Sequence, residues 1–223
     1  MSDPDSLSFS RLKIVLSTMV LNILAVIFFA RVPWSDWRTG MGLNLLDNAI
    51  LIGYAWKKRD RMLEGLIFFG LVLGFAELFA DAWLVDATRT LDYSIGGGPM
   101  LWRSPLWMPF AWEVVAVQFA VVGGWLTDRF KGAGIVLAGI VGAVNIPFYE
   151  EMALQTKWWA YRDCRMLLHT PYYIIAGEFL IVMAIVVLSR KFNLQNPTQS
   201  ALAGLLGGAA IFSGYAVGFL IFK

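Results

Sequence analysis

Apolar residues run along this chain in blocks of about twenty, separated by short polar connections. The blocks predict helical membrane spans at 12–32, 41–56, 62–86, 105–127, 132–154, 170–189 and 200–222. Runs of that length match the hydrocarbon core of a bilayer. A transmembrane β-barrel would instead show segments of about ten residues with alternating polarity, and the chain has none. The second block is short and carries Asn44, Asp47 and Asn48. It is expected to tilt or to lean on its neighbours.

Composition strengthens this reading. Of 223 residues, 58% are hydrophobic and 15% charged, and mean hydropathy is +0.64. The expected fold is all-α: a polytopic transmembrane helical bundle of about seven spans, forming one integral-membrane domain over residues 1–223. The net charge of +2 is scattered and gives no footprint for nucleic acid. A lone cysteine, Cys164, excludes an internal disulfide, and a lone histidine, His169, argues against a histidine-based metal site. The start, MSDPDSLSFSRLK, lacks the features of a signal peptide, so the first block reads as a retained helix. Lys and Arg alternate weakly between the two sides. The dense stretch "KKRDR" (57–61) lies in a short loop, which places it and the N-terminus in the cytoplasm. A bacterial inner or plasma membrane is the expected host.

Two features are architectural. "GAGIVLAGIVG" (132–142) and "AGLLGGAAIFSG" (203–214) repeat small residues three and four apart. Such stripes let helices approach closely in lipid. Trp34, Trp37, Trp56, Trp102, Trp158 and Trp159 fall near span ends, as expected of an interfacial aromatic belt.

One pattern occurs twice. Spans 3 and 4 are joined through "ELFADAWLVDATRTLDYSIGGGPMLWRSPLWMPFAWE", spans 5 and 6 through "EEMALQTKWWAYRDCRMLLHTPYYIIAGE". Each begins with acids near a helix end and continues through Trp, Tyr and Arg. Each then reaches Ser-Pro or Thr-Pro, expected as an N-cap with proline at the first helical position. A glutamate follows seven or eight residues later: Glu113 after Pro105, Glu178 after Pro171. This predicts a parallel repeat of helix pairs, with its pseudo-twofold axis along the membrane normal.

Eight residues of helix rise about 12 Å, so Glu113 and Glu178 are expected well inside the membrane. Glu77 and Asp81 are four apart and share a helix face. Glu150 and Glu151 follow Pro147, which is expected to kink or break span 5. Together these acids are expected to converge on one polar pocket. The bland alternative ends span 5 at the interface, with Glu150 and Glu151 paired to Lys157 or Arg162.

Acids in apolar surroundings must be neutral, paired or facing water. A neutral one can act as a general acid, and aromatic faces can hold a cation. "PLWMPFAWE", "KWWAYRD" and "TPYYIIAGE" interleave acids with aromatic residues. They bring forward Trp107, Trp112, Trp159 and Tyr172, with Glu178, as substrate-binding candidates. The chemistry that fits is protonation of an alkene or epoxide in a lipophilic substrate, with the carbocation quenched by ring closure, proton loss or water. The catalytic candidates are Glu77, Asp81, Glu113 and Glu151. No phosphate-binding loop, Asp-rich diphosphate motif or Ser-His-Asp set is present, and no cofactor or metal is implied.

The order "E … Y … G … SPLWMPFAW … E … W-W … TPYY … G", over roughly residues 70–180, resembles integral-membrane carotenoid-biosynthesis proteins. These are the carotenoid hydratases and the small lycopene β-cyclases. It is also similar to the small seven-span terpene cyclases of meroterpenoid pathways. The resemblance implies an isoprenoid substrate protonated by intramembrane acids. It implies Glu77 and Glu151 as the acid pair, with Trp112 and Trp159 lining the cavity. Here the second acidic position is Glu-Glu where aspartate is common, and Glu178 stands where a small or aromatic residue is expected.

Two other classes fit the same residues. A small proton-coupled transporter would use acids along a path, and a non-catalytic assembly subunit would use its aromatics to hold a lipid or pigment.

Overall fold

The computed structural model describes residues 4–222. Residues 1–3 of the N-terminal stretch lie outside the described residues. Seven helices alternate up and down: α1 (Pro4–Phe29), α2 (Trp37–Lys58), α3 (Arg61–Ala82), α4 (Met108–Phe130), α5 (Gly132–Gln155), α6 (Tyr172–Lys191) and α7 (Pro197–Phe222). Six of them are long and apolar enough to cross a membrane, and the chain is an integral-membrane helical bundle. The other is α2. Its 22 residues span about 33 Å, but Asn44, Asp47 and Asn48 lower its hydropathy. Asp47 and Asn48 are buried, so α2 turns its polar side to the bundle, as the short second block predicted.

Helix ends follow from local chemistry. Asp36 caps α2 by accepting from the Arg38 amide at 2.8 Å. Asp60 caps α3 through the Leu63 amide and also accepts from Nε and Nη2 of Arg11, at 2.8 and 2.7 Å. Asn196 accepts from the amides of Thr198 and Gln199 at the start of α7. Pro147 does not break α5, which runs unbroken from Gly132 to Gln155.

The expected small-residue stripes are contact surfaces. A side chain at Gly208 would strike Ala76 of α3, and one at Gly139 would strike Phe179 of α6. Removing the Cβ lets the helix backbones close up where no hydrophobic drive exists. The tryptophans divide. Trp34, Trp56 and Trp102 are exposed, as a belt requires, whereas Trp158 turns inward.

The two connections on one side of the bundle are built alike. After α3 a π-helical turn (Trp83–Thr88) leads to strand β1 (Leu91–Asp92). A hairpin of β2 (Met100–Leu101) and β3 (Ser104–Pro105) then leads into α4. After α5 come β4 (Ala160–Tyr161) and the hairpin β5 (Met166–Leu167) with β6 (Thr170–Pro171), then α6. Both hairpins read Met-Leu-x-x-Ser/Thr-Pro. Methionine pairs with proline in each, and the residue after leucine is left-handed in each: Trp102 at φ 58° and Leu168 at φ 55°. Each is closed by an equivalent bond, Leu106 N to Pro99 O (2.9 Å) and Tyr172 N to Arg165 O (3.0 Å). Strand β1 pairs antiparallel with β4, which ties the two units together. The Ser-Pro and Thr-Pro steps are strand residues, and neither Ser104 nor Thr170 caps a helix; Pro171 itself holds the N-cap position of α6. Helix α4 starts only at Met108, with Pro109 in its first turn.

Candidate functional site

A cavity of about 170 Å³ opens inside the bundle at the hairpin end. On α5 it is lined by Gly142, Asn145, Ile146, Tyr149 and Glu150, the three-and-four spacing of one helix face. Along α4 its lining runs from Met108 to Phe119, about 16 Å of helix. Most of the wall is apolar, and the acids that line it come from α3, α5 and α6.

Three carboxyls line that end: Asp81, Glu150 and Glu178. Each is held by fixed donors. Asp81 Oδ2 accepts from the Tyr93 hydroxyl at 2.6 Å and from Ser104 at 2.7 Å. Glu150 accepts from the Trp159 indole at 2.5 Å and the Tyr161 hydroxyl at 3.2 Å. Glu178 accepts from the Tyr215 hydroxyl at 2.7 Å. A fourth carboxyl, Glu77, is wholly buried behind them. Asp81 and the Trp112 indole stand beside it, but neither completes a hydrogen bond of good geometry to its oxygens.

Among the described residues no Lys, Arg or His lines this cavity, and none of these four acids forms an ion pair. An acid at membrane depth without a cation is neutral, hydrogen-bonded or facing water, and these four have only neutral donors beside them. Among the described residues no group of three or more His, Cys, Asp or Glu side chains is placed to bind a metal ion.

The repeat extends into the site. Tyr93 binds Asp81 across twelve residues and Tyr161 binds Glu150 across eleven. The extra residue in the first unit falls in the π-helical turn, which inserts one residue into a helix and keeps the tyrosine opposite its acid. These two tyrosines lie on the connections outside the spans. Burial, with the neighbouring acids Asp81 for Tyr93 and Glu150 for Tyr161, pushes both phenols well above the ordinary tyrosine range.

The aromatic shell is one cluster. The Trp107 ring lies 5.6 Å from Trp158 and 6.1 Å from Trp159, centroid to centroid. Trp112 completes the lining beside them. Trp158 is anchored by its indole nitrogen to Thr39 and to the Asp36 carbonyl, which fastens the start of α2 to this end of the bundle.

Of the acids and aromatics singled out from sequence, Asp81, Trp107, Trp112, Glu150, Trp159 and Glu178 meet at the cavity. Glu77, Glu113, Glu151 and Tyr172 do not line it. Glu151 points away, half-buried, to His169 (2.5 Å) and Gln155 (2.8 Å); its neighbour Glu150 takes the inward place. Neither pairs with Lys157 or Arg162, and Arg162 binds Asp92 instead. Tyr172 is 38% exposed and lies against Phe222, while Tyr173 turns in and bonds Thr90. Glu113 is buried but off the cavity, and its backbone is what α3 packs against at Gly70. Aligned on the hairpins, Trp112, not Glu113, is the counterpart of Glu178. Tyr93, Tyr161 and Tyr215 were missed; the recurrence of Tyr93 and Tyr161 after the two acids was the available signal.

A family model described as Domain of unknown function (DUF6989) matches residues 78–222, more than half of the chain. The matched stretch contains Asp81, Glu150 and Glu178 and both hairpins, and excludes α1 and α2. No curated protein and no solved structure matches the chain.

Proposed function

We propose that this chain, which belongs to the DUF6989 family, is a membrane-embedded isoprenoid cyclase or hydratase that works by acid catalysis. One observation carries the reading. Asp81, Glu150 and Glu178 face one cavity that has aromatic walls and no lining cation. A carboxyl kept neutral in such a place donates its proton to an alkene carbon or an epoxide oxygen. The carboxyl O–H bond breaks; a C–H bond forms as the alkene π bond opens, or an O–H bond forms as an epoxide C–O bond breaks, and a carbocation develops on the substrate. The faces of Trp107, Trp112 and Trp159 favour that cation. Tyr93 and Tyr161 donate to the carboxylate left behind. The cation then closes a ring and loses a proton back to a carboxylate, or is captured by water, which gives its extra proton to that carboxylate.

The distant likeness to carotenoid hydratases, small lycopene cyclases and meroterpenoid cyclases points the same way. A proton-coupled transporter is the less favoured reading, because the acids that line the cavity gather at one end of it rather than along a path. With "KKRDR" in the cytoplasm of a bacterial inner or plasma membrane, the cavity lies toward the outer leaflet.

The test is liquid chromatography–mass spectrometry of lipid extracts from cells with and without the gene, and with Asp81→Asn or Glu150→Gln. An isoprenoid of unchanged mass and shifted retention means cyclisation, and one heavier by a water means hydration. Both substitutions should abolish it at equal protein level. Undiminished product in both variants would overturn the reading.

A further inference from the structure

The acids account for one wall of the cavity. A second set of polar groups lines the same space and has no part in the chemistry above. Asn22 of α1, Asn44 of α2 and Asn145 of α5 all line it. Their hydrogen bonding is incomplete. The side-chain oxygen of Asn22 is buried without a partner. Asn44 spends its amide nitrogen on the Gly40 carbonyl, and no hydrogen bond engages its side-chain oxygen among the described residues. No hydrogen bond engages the Asn145 side chain among the described residues.

Three amides from three helices, at membrane depth, are costly if left unsatisfied. Asn22 stands beside the buried carboxyl of Asp47 on α2, and Leu43, Val26 and Ile146 line the same walls at neighbouring positions. Each amide can both donate and accept. The acid wall adds one more vacancy: the indole N–H of Trp107 is buried without an acceptor. Asn145 and Glu150 are five residues apart on α5, about 7.5 Å of rise. Ile146, Tyr149, Ala111 and Val115 fill the wall around this span.

We infer that the cavity selects a terpenoid with an oxygen function at both ends, one hydroxyl, carbonyl or epoxide at the acids and a second at the Asn22–Asn44–Asn145 amides. This rests on the reading of the site as an isoprenoid cavity and narrows its substrate class. The apolar middle holds the hydrocarbon, and the two polar walls fix which end meets the acids. A one-ended substrate would leave the amides unpaired, and a site built to bond a polar group discriminates strongly against an analogue lacking it.

The experiment is binding to the purified full-length protein in lipid nanodiscs, read by quenching of the cavity tryptophans. The probes are geraniol, with one terminal hydroxyl, and 8-hydroxygeraniol, with one at each end; empty nanodiscs correct for partition into lipid. The diol should bind at least about tenfold more tightly, as expected when a built polar site gains its partner. Asn145→Leu and Asn22→Leu, each taken separately, should remove that advantage, so that the two probes bind alike in each variant. Equal affinities for the two probes in the unaltered protein would overturn the inference and mean that the amides hold water. Persistence of the advantage in both variants would also overturn it. The outcome is independent of turnover. Product in the cell-extract assay without a preference for the diol would sink this inference and leave the acid-catalysis reading standing. A preference for the diol with no product would do the reverse.

Discussion

The indole nitrogen of Trp159 donates a 2.5 Å hydrogen bond to Glu150, nine residues earlier in the chain. The bond turns an end-of-helix acid back into the bundle and fixes it beside an aromatic face. Its neighbour Glu151 bonds outward to His169. Two adjacent glutamates thus have opposite fates. Glu150→Gln should lower product formation about 100-fold or more, the usual contribution of a general acid. Glu151→Gln should change it less than twofold, and its half-exposed pair with His169 is worth under about 1 kcal/mol. Comparing product per unit of protein for the two variants in one host checks both.

Trp159→Phe keeps the ring and removes the donor. A carboxyl buried in the wall then loses its shortest bond, at a cost of about 1–3 kcal/mol. The variant should remain folded in detergent and form at least tenfold less product. Normal turnover would mean that Tyr161 alone positions Glu150.

The pair of Arg11 and Asp60 joins α1 to the start of α3, with Asp60 wholly buried. Asp60→Ala strands the cation and removes the cap on Leu63, so it should destabilise the protein by about 3–5 kcal/mol. Arg11→Met with Asp60→Asn removes both charges and should recover most of the loss. Thermal aggregation followed by size-exclusion chromatography reads the difference.

Gly74 meets the backbone carbonyl of Pro109 where α3 crosses α4, and an added Cβ would overlap it. The crossing carries Asp81 on one helix and Trp112 on the other. Gly74→Ala should cost about 1–3 kcal/mol or more by forcing the helices apart. Gly53→Ala, which meets open space, is the matched control and should lose no stability.

Tyr93 and Tyr161 have phenols raised by burial and by the acids they bind. A raised value in the folded state means that their contribution to stability is complete below the unfolded value of roughly 10 and is lost as pH climbs above it. In an alkaline titration, Tyr93→Phe and Tyr161→Phe should leave the phenolate absorbance rise around pH 10 unchanged. A reduced rise there would show that these hydroxyls are open to water.

Hydropathy alone determined the helical bundle, because a membrane span needs only length and apolarity. The sequence also carried the doubled Met-Leu-x-x-Ser/Thr-Pro connection, since tight hairpins depend on local residues. It marked the segments that build the site: Asp81, Trp107, Trp112, Trp159 and Glu178 all reach the cavity. What tertiary structure decided was the face. One residue along a helix is a turn of about 100°, and that single step separates Glu151 from Glu150, Tyr172 from Tyr173 and Glu113 from Trp112: in each pair the first faces away from the cavity and the second turns inward. In a soluble protein, the alternation of apolar and polar positions announces the inward face. In a membrane the outward face is apolar too, so the pattern that would settle the choice is absent, and only packing against neighbouring helices supplies it. The π-helical turn was hidden for the same reason. Its inserted residue has meaning only once β1 pairs with β4 and brings Tyr93 over Asp81.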